Sequence, residues 1–196
     1  MTVSARFTNI LLFEAFETAM RQLLVEDKEV LSWPKSKHTL AHCLANQLQL
    51  SLTRVLNLAE NVANPHFFSL PGNIKVDIMT MGFDVLVHDR KGVKLLGIVL
   101  GTEYLSKVQQ NHLIQAQNQG CQLVLGTAFL PQKEYVLLYS PSQESLEYYH
   151  FNKADGTTTH LKGKEVADGA EDSLQLLLGI KERKKKKRKK VTVQDQ

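Results

Sequence analysis

The spacing of apolar residues changes at one place in this chain, and that change limits what it can fold into. Before Pro71-Gly72, apolar side chains recur every three or four positions. After it they come in short blocks rich in β-branched and aliphatic residues, divided by turn residues. A chain that leads with helices and continues with short strands belongs to the α/β class.

Residues 8–25 place Leu12, Phe16, Met20, Leu23 and Leu24 at helical spacing, with Glu17, Arg21 and Gln22 on other faces. The charged stretch 26–35 ends in Trp33-Pro34. Ser36 then caps a second helix reaching about residue 52, with Leu40, Leu44, Leu48 and Leu52 as its buried stripe. Residues 53–62 can extend that helix, and Asn64-Pro65 breaks it. Two or three adjacent strands are expected over 76–81, 83–88 and 93–101, separated by Gly82 and the Asp89-Arg90-Lys91-Gly92 turn. A third helix over 103–119 ends at Gly120. Strands over 122–129 and 135–139 and a weaker one over 146–151 follow, then a loop or irregular hairpin over 152–172 and two helical turns over 173–180.

With 196 residues, 43% of them hydrophobic, the chain can bury one sizeable core. The expected organisation is a single mixed-sheet α/β domain with helices before and after its central strands. Its parts are a helical segment 1–65, an α/β core 66–151, a loop-rich extension 152–180 and a disordered basic tail 181–196.

The net charge of +4 hides an asymmetry. Residues 1–180 carry 15 basic against 18 acidic residues, whereas nine of the 24 Lys and Arg fall within residues 181–190. These are Lys181, Arg183, Lys184, Lys185, Lys186, Lys187, Arg188, Lys189 and Lys190. Such a run repels itself and suits a polyanion, with little sequence preference and strong sensitivity to salt. Nucleic acid, DNA ahead of RNA, is the expected partner. No lipid or aromatic anchor adjoins the tail, so no stable membrane association is expected. In a eukaryotic cell the same run would also read as a nuclear-import signal.

Cys43 and Cys121 form no C-x-x-C pair, so a disulfide scaffold is not expected. The first apolar stretch, 10–16, is broken by Glu14 and lacks a small-residue cleavage pattern, and no run approaches the roughly 18 apolar residues of a spanning helix. The expectation is a soluble, cytoplasmic protein.

The blocks Phe83-Asp84-Val85-Leu86-Val87-His88 and Leu95-Leu96-Gly97-Ile98-Val99-Leu100-Gly101, followed by a helix and a strand, resemble the core of the PD-(D/E)xK, or restriction-endonuclease-like, superfamily. The resemblance spans roughly 75–140 and rests on element order. It implies an Asp on one strand, then an acid and a Lys two positions apart on the next. The carboxylates would hold Mg²⁺ against a phosphodiester while the Lys helps activate water. Asp84 matches the Asp, but Val99 and Gly101 stand at the acid and Lys positions. A valine cannot ligate a hard cation, and a glycine offers no ammonium. A migrated site could draw on Asp77, Asp84, Glu103 and Lys107, which would make the chain a metal-dependent nuclease. Alternatively, Asp77 and Asp84 are polar residues on solvated strand faces and Glu103 is a first-turn acid favoured by the helix dipole.

His38 and His42 share a helical face near Cys43, but the zincin Glu after His38 and a third ligand are missing. No nucleophile elbow, phosphate loop or dinucleotide-binding turn occurs. The residues therefore favour a non-catalytic nucleic-acid-binding or accessory protein, with no cofactor. The alternatives are a Mg²⁺-dependent nuclease, or a scaffold whose helical part binds a protein partner.

Overall fold

The computed structural model describes residues 3–33, 35–62, 74–142 and 145–161. The expected helical turns over 173–180 and the basic tail 181–196 lie outside them.

Two long helices lead the chain, α1 (Val3–Glu26) and α2 (Lys37–Val62), joined through a 3₁₀ turn at Lys28–Ser32. The leucine stripe of α2 is buried as its spacing predicts: Leu40, Leu44 and Leu48 have no solvent exposure, and Leu52 has almost none. These residues meet Leu12, Phe16, Met20 and Leu23 of α1 in one apolar cluster. A continuous stripe four residues apart can be buried only against another surface, and here that surface is α1 together with one face of a sheet.

Among the described residues the sheet has seven strands, which lie side by side in chain order. They are β1 (Lys75–Thr80), β2 (Phe83–His88), β3 (Lys94–Gly101), β4 (Leu123–Ala128), β5 (Tyr135–Ser142), β6 (Ser145–Asn152) and β7 (Thr158–His160). Every neighbouring pair is antiparallel except β3 and β4, which run parallel across the third helix, α3 (Lys107–Asn118). A parallel pair needs a long crossover, and α3 supplies it.

Side-chain alternation assigns the two faces. Val85, Val87, Leu96, Ile98, Leu100, Leu125, Val136 and Leu138 join the α1/α2 cluster. Gly126, next after Leu125, instead lies under Leu113 of α3 and Leu105. The result is an α/β domain of three layers, with α1 and α2 on one face of a mixed sheet and α3 on the other. Among the described residues no helix is long and apolar enough to cross a membrane.

Several element bounds differ from the sequence expectation: α1 begins at Val3 rather than residue 8, β5 runs to Ser142 rather than 139, and α3 starts late. Helix α3 starts at Lys107, four residues later than the polar segment suggested, because Ser106 and Gln109 form a capping box that fixes its first turn. The stretch 152–160 takes the hairpin alternative. Strand β7 pairs with β6, and the turn between them is held on α1, where Thr158 Oγ1 donates to Glu17 and Arg21 Nε donates to Gly156 O at 3.2 Å.

Candidate functional site

Strands β2 and β3 fork. Strand β2 stays paired with β1 through Thr80↔Phe83, yet its pairing with β3 runs out at Val85↔Ile98, while β3 continues beside β4 to Gly101↔Ala128. Phe83 turns its ring onto Gly97 and toward His112 of α3, with ring centroids 5.4 Å apart. Asp84 fills the opening. Its Oδ2 accepts the backbone N–H of Leu100 at 2.7 Å, in place of the next backbone rung.

The same carboxylate oxygen meets an ammonium. Lys37, the first residue of α2, brings Nζ to 3.0 Å from Asp84 Oδ2. Asp84 is only 7% exposed, so a charge there is costly unless paired and hydrogen-bonded, and it is both. Two buried hydroxyls close by in sequence or register, Ser36 Oγ and Thr127 Oγ1, have no hydrogen-bond partner among the described residues. Ser36 precedes Lys37 and starts the helix through its carbonyl, which accepts the Leu40 N–H at 2.8 Å, but its hydroxyl does not make the side-chain cap expected from the sequence; Thr127 pairs with Leu100.

Val99 and Gly101 stand where the resemblance would put an acid and a Lys. Val99 is buried and pairs with Gly126, and a β-carbon on Gly126 would lie 2.5 Å from Leu105 Cδ1 and 2.7 Å from Leu113 Cδ1. Gly101 is sterically closed: a β-carbon there would stand 2.6 Å from the Glu103 carbonyl oxygen and 2.9 Å from Leu105 Cδ2. Leu105 is fixed in turn, since its N–H donates to Tyr139 Oη at 3.3 Å. Burial pushes the Tyr139 phenol well above its usual value, and the Leu105 N–H only partly opposes this.

The four carboxylate and lysine candidates do not share partners. Asp77 of β1 accepts from His88 Nε2 at 2.9 Å and lies 3.8 Å from the Arg90 guanidinium. His88 Nδ1 accepts the Arg90 N–H at 3.0 Å, so the neutral imidazole carries its proton on Nε2, toward Asp77. Asp77 thus serves the far end of β2, where His88 is the last residue, while Asp84 serves its beginning. Glu103 has an exposed side chain in the connection from β3 to α3, ahead of the helix rather than in its first turn. Lys107 opens α3, exposed, with Nζ 3.2 Å from Gln110 Oε1.

His38 and His42 are both exposed on α2, and His42 Nε2 contacts Asn46 Nδ2 at 3.3 Å. Cys43 is half-buried, and burial together with nearby Asp27 raises its thiol. Among the described residues no three His, Cys, Asp or Glu side chains gather as a metal would need. The nine basic residues from Lys181 to Lys190 lie outside the described residues.

Sequence reasoning found Asp84 but missed Lys37. The pair is separated by 47 positions along the chain, and the only local signal was the place of Lys37 directly after the helix-start Ser36. Compared with protein-family models, with curated proteins and with solved structures, the chain matches none.

Proposed function

We propose that this chain is a non-catalytic, nucleic-acid-binding accessory protein, built on a restriction-endonuclease-like core and gripping phosphates with its basic C-terminal tail. The order of elements supports the core: β2 and β3 are followed by a crossover helix and by β4, which runs parallel to β3.

The observation that carries the non-catalytic reading is the state of the Asp84 carboxylate. Where a nuclease of this kind would place a divalent cation, Lys37 supplies a single positive charge from α2 and Leu100 supplies an N–H. An ammonium neutralises a carboxylate but cannot polarise a phosphoryl oxygen or acidify a water as a metal ion does. The neighbouring positions add neither a second carboxylate nor a lysine, because they are Val99 and the closed Gly101.

The binding half rests on the tail. Nine cations within residues 181–190 release condensed counterions when they meet a phosphate backbone, which gives affinity that falls steeply with salt. The body, with 15 basic and 18 acidic residues over 1–180, adds no general attraction of its own.

Fluorescence anisotropy with labelled duplex DNA and RNA of equal length tests this. Exchanging the nine Lys and Arg of 181–190 for Gln is expected to remove most of the affinity and flatten its salt dependence; unchanged affinity overturns the role of the tail. With Mg²⁺ or Mn²⁺ added, the pure protein is expected to leave both polymers intact. Cleavage that disappears in Asp84→Ala and Glu103→Ala proteins would instead establish the nuclease.

A further inference from the structure

Away from the fork, a cleft of about 520 Å³ lies where three turns meet. Its walls come from the end of α1 (Leu24), the 3₁₀ turn (Lys28 and Leu31), the β4–β5 turn (Pro131, Lys133 and Glu134) and the β6–β7 turn (Lys153 and Ala154). That volume is in the range of small-molecule sites.

The cleft holds a fixed cation. Lys153 Nζ donates to Leu130 O at 2.8 Å and to Lys133 O at 2.6 Å. An ammonium has three donors, so one remains. The backbone holds Lys153 in place as well, since its N–H donates to Glu134 O at 2.9 Å, and the β4–β5 turn is closed by Lys133 N–H to Leu130 O at 3.2 Å. This lysine does not sweep through solvent on a flexible stem, so little ordering entropy would oppose its use.

Lys28 and Lys133 add two exposed ammonium groups at the same cleft, against one carboxylate, Glu134. None of the three lysines enters an ion pair among the described residues. The excess of positive charge stands out on a body whose own balance is acidic. Leu24, Leu31, Pro131 and Ala154 supply the apolar remainder of the wall.

From this cleft we infer a binding site for a small amphiphilic anion, a carboxylate or phosphate carried on an apolar body, with Lys153 as its anchor and Lys28 and Lys133 as supporting charges. Burial lowers the Lys153 ammonium below its usual value, which fits a cation short of solvent and receptive to an anionic partner.

Calorimetric titration of the full-length protein with octanoate and with phenyl phosphate tests the site, and inorganic phosphate serves as the anion without an apolar body. At least one of the organic anions is expected to saturate at one per chain, and the tighter of the two tells whether the site prefers a carboxylate or a phosphate. Inorganic phosphate should bind at least about tenfold more weakly than the preferred organic anion. Lys153→Met should weaken binding by about tenfold or more, the scale of a lost charge-assisted hydrogen bond. Because Lys153 also ties two turns together, Lys28→Gln/Lys133→Gln provides a second arm. Its exposed positions should leave the melting temperature unchanged, the tail is the same as in the parent, and the affinity should drop several-fold. Glu134→Gln should change affinity the other way and tighten it. Saturation by neither organic anion, equal binding of inorganic phosphate, or unchanged affinity in the double variant would overturn the site.

Discussion

Lys37 Nζ and the backbone N–H of Leu100 converge on one oxygen, Asp84 Oδ2, at 3.0 and 2.7 Å. The first contact ties α2 to the sheet, and the second closes the fork between β2 and β3. They are unequal in worth. Lys37 keeps 38% of its side chain in solvent, so the ion pair is screened, whereas the Leu100 bond is buried.

Asp84→Ala should therefore destabilise the protein by about 2–4 kcal/mol, because it leaves the Leu100 N–H buried without an acceptor. Asp84→Asn keeps an amide oxygen for that N–H and should cost less. Lys37→Met should cost about 1 kcal/mol. Urea denaturation of the three single variants, with Lys37→Met/Asp84→Asn to complete a cycle, measures the ranking. A Lys37 cost equal to that of Asp84→Ala would show that the ion pair, and not the backbone bond, dominates.

The proposed endonuclease-like core offers a different kind of test. Val99→Glu/Gly101→Lys places an acid and a lysine on β3 at the two positions where that proposal would put them. Position 101, however, has a carbonyl oxygen 2.6 Å from where its β-carbon must sit, and position 99 is buried beside the Leu105 and Leu113 contacts of Gly126. Crowding and an unpaired buried carboxylate should together cost several kcal/mol, on the order of 3–5. The double variant should melt well below the parent and show no cleavage with Mg²⁺. Mg²⁺-dependent cleavage with an unchanged melting temperature would mean that the connection from Gly101 to Leu105 is far more yielding than its contacts indicate.

Much of this architecture could be read from residue order, and the parts that could not share a cause. The stripe Leu40, Leu44, Leu48 and Leu52 is buried as read, and β2 spans the run between Gly82 and Asp89 residue for residue. Both are local: spacing decides one, and turn residues on either side decide the other. The start of α3 was legible in principle, as Ser106 followed three residues later by Gln109, but the polar, helix-compatible residues ahead of it masked the cap. Strand β7 was not legible as a strand, since Thr158, Thr159 and His160 become one only through their pairing with β6. The Lys37–Asp84 pair and the Lys153 cleft depend on elements brought together from distant parts of the chain, which periodicity does not report.

The pH profile should show two legs. Among the described residues, three carboxylates sit below their ordinary values. Burial pulls Asp89 upward, but the N–H groups of Lys91 and Val93, at 2.7 and 2.9 Å, together outweigh it. The Thr157 hydroxyl and N–H lower Asp155, and the Tyr149 hydroxyl at 2.7 Å lowers Glu147. A depressed folded-state value means stability that is present above the unfolded value of about 4 and lost as pH falls through the folded one. Tyr149 has the opposite sign: burial, then Glu147, pushes it up to about 12, so stability is full below about pH 10 and declines toward 12. Melting temperature measured from pH 2.5 to 11.5 should be flat in the middle and fall at both ends. Asp89→Asn should soften the acid leg, and Tyr149→Phe should soften both. An acid leg identical in all three proteins would locate the acid sensitivity elsewhere.

The turn before β7 carries a test of how this short strand is held. Gly156 has φ +68, and a β-carbon on it would lie 2.4 Å from Arg21 Cγ and 2.6 Å from Arg21 Cδ, the same side chain whose Nε donates to Gly156 O. Gly156→Ala meets two obstacles, a left-handed backbone and the stem of Arg21, and should cost about 1–3 kcal/mol. Arg21→Ala removes the stem and the hydrogen bond together, so in Gly156→Ala/Arg21→Ala only the backbone obstacle remains. The double variant should be less destabilised than the sum of the singles. Urea denaturation gives the energies, and amide hydrogen exchange at residues 158–160 gives the location, since loss of the Arg21 contact should speed exchange there first. Strictly additive energies, with exchange at β7 unaltered, would mean that Arg21 yields freely and that pairing with β6 alone secures the strand.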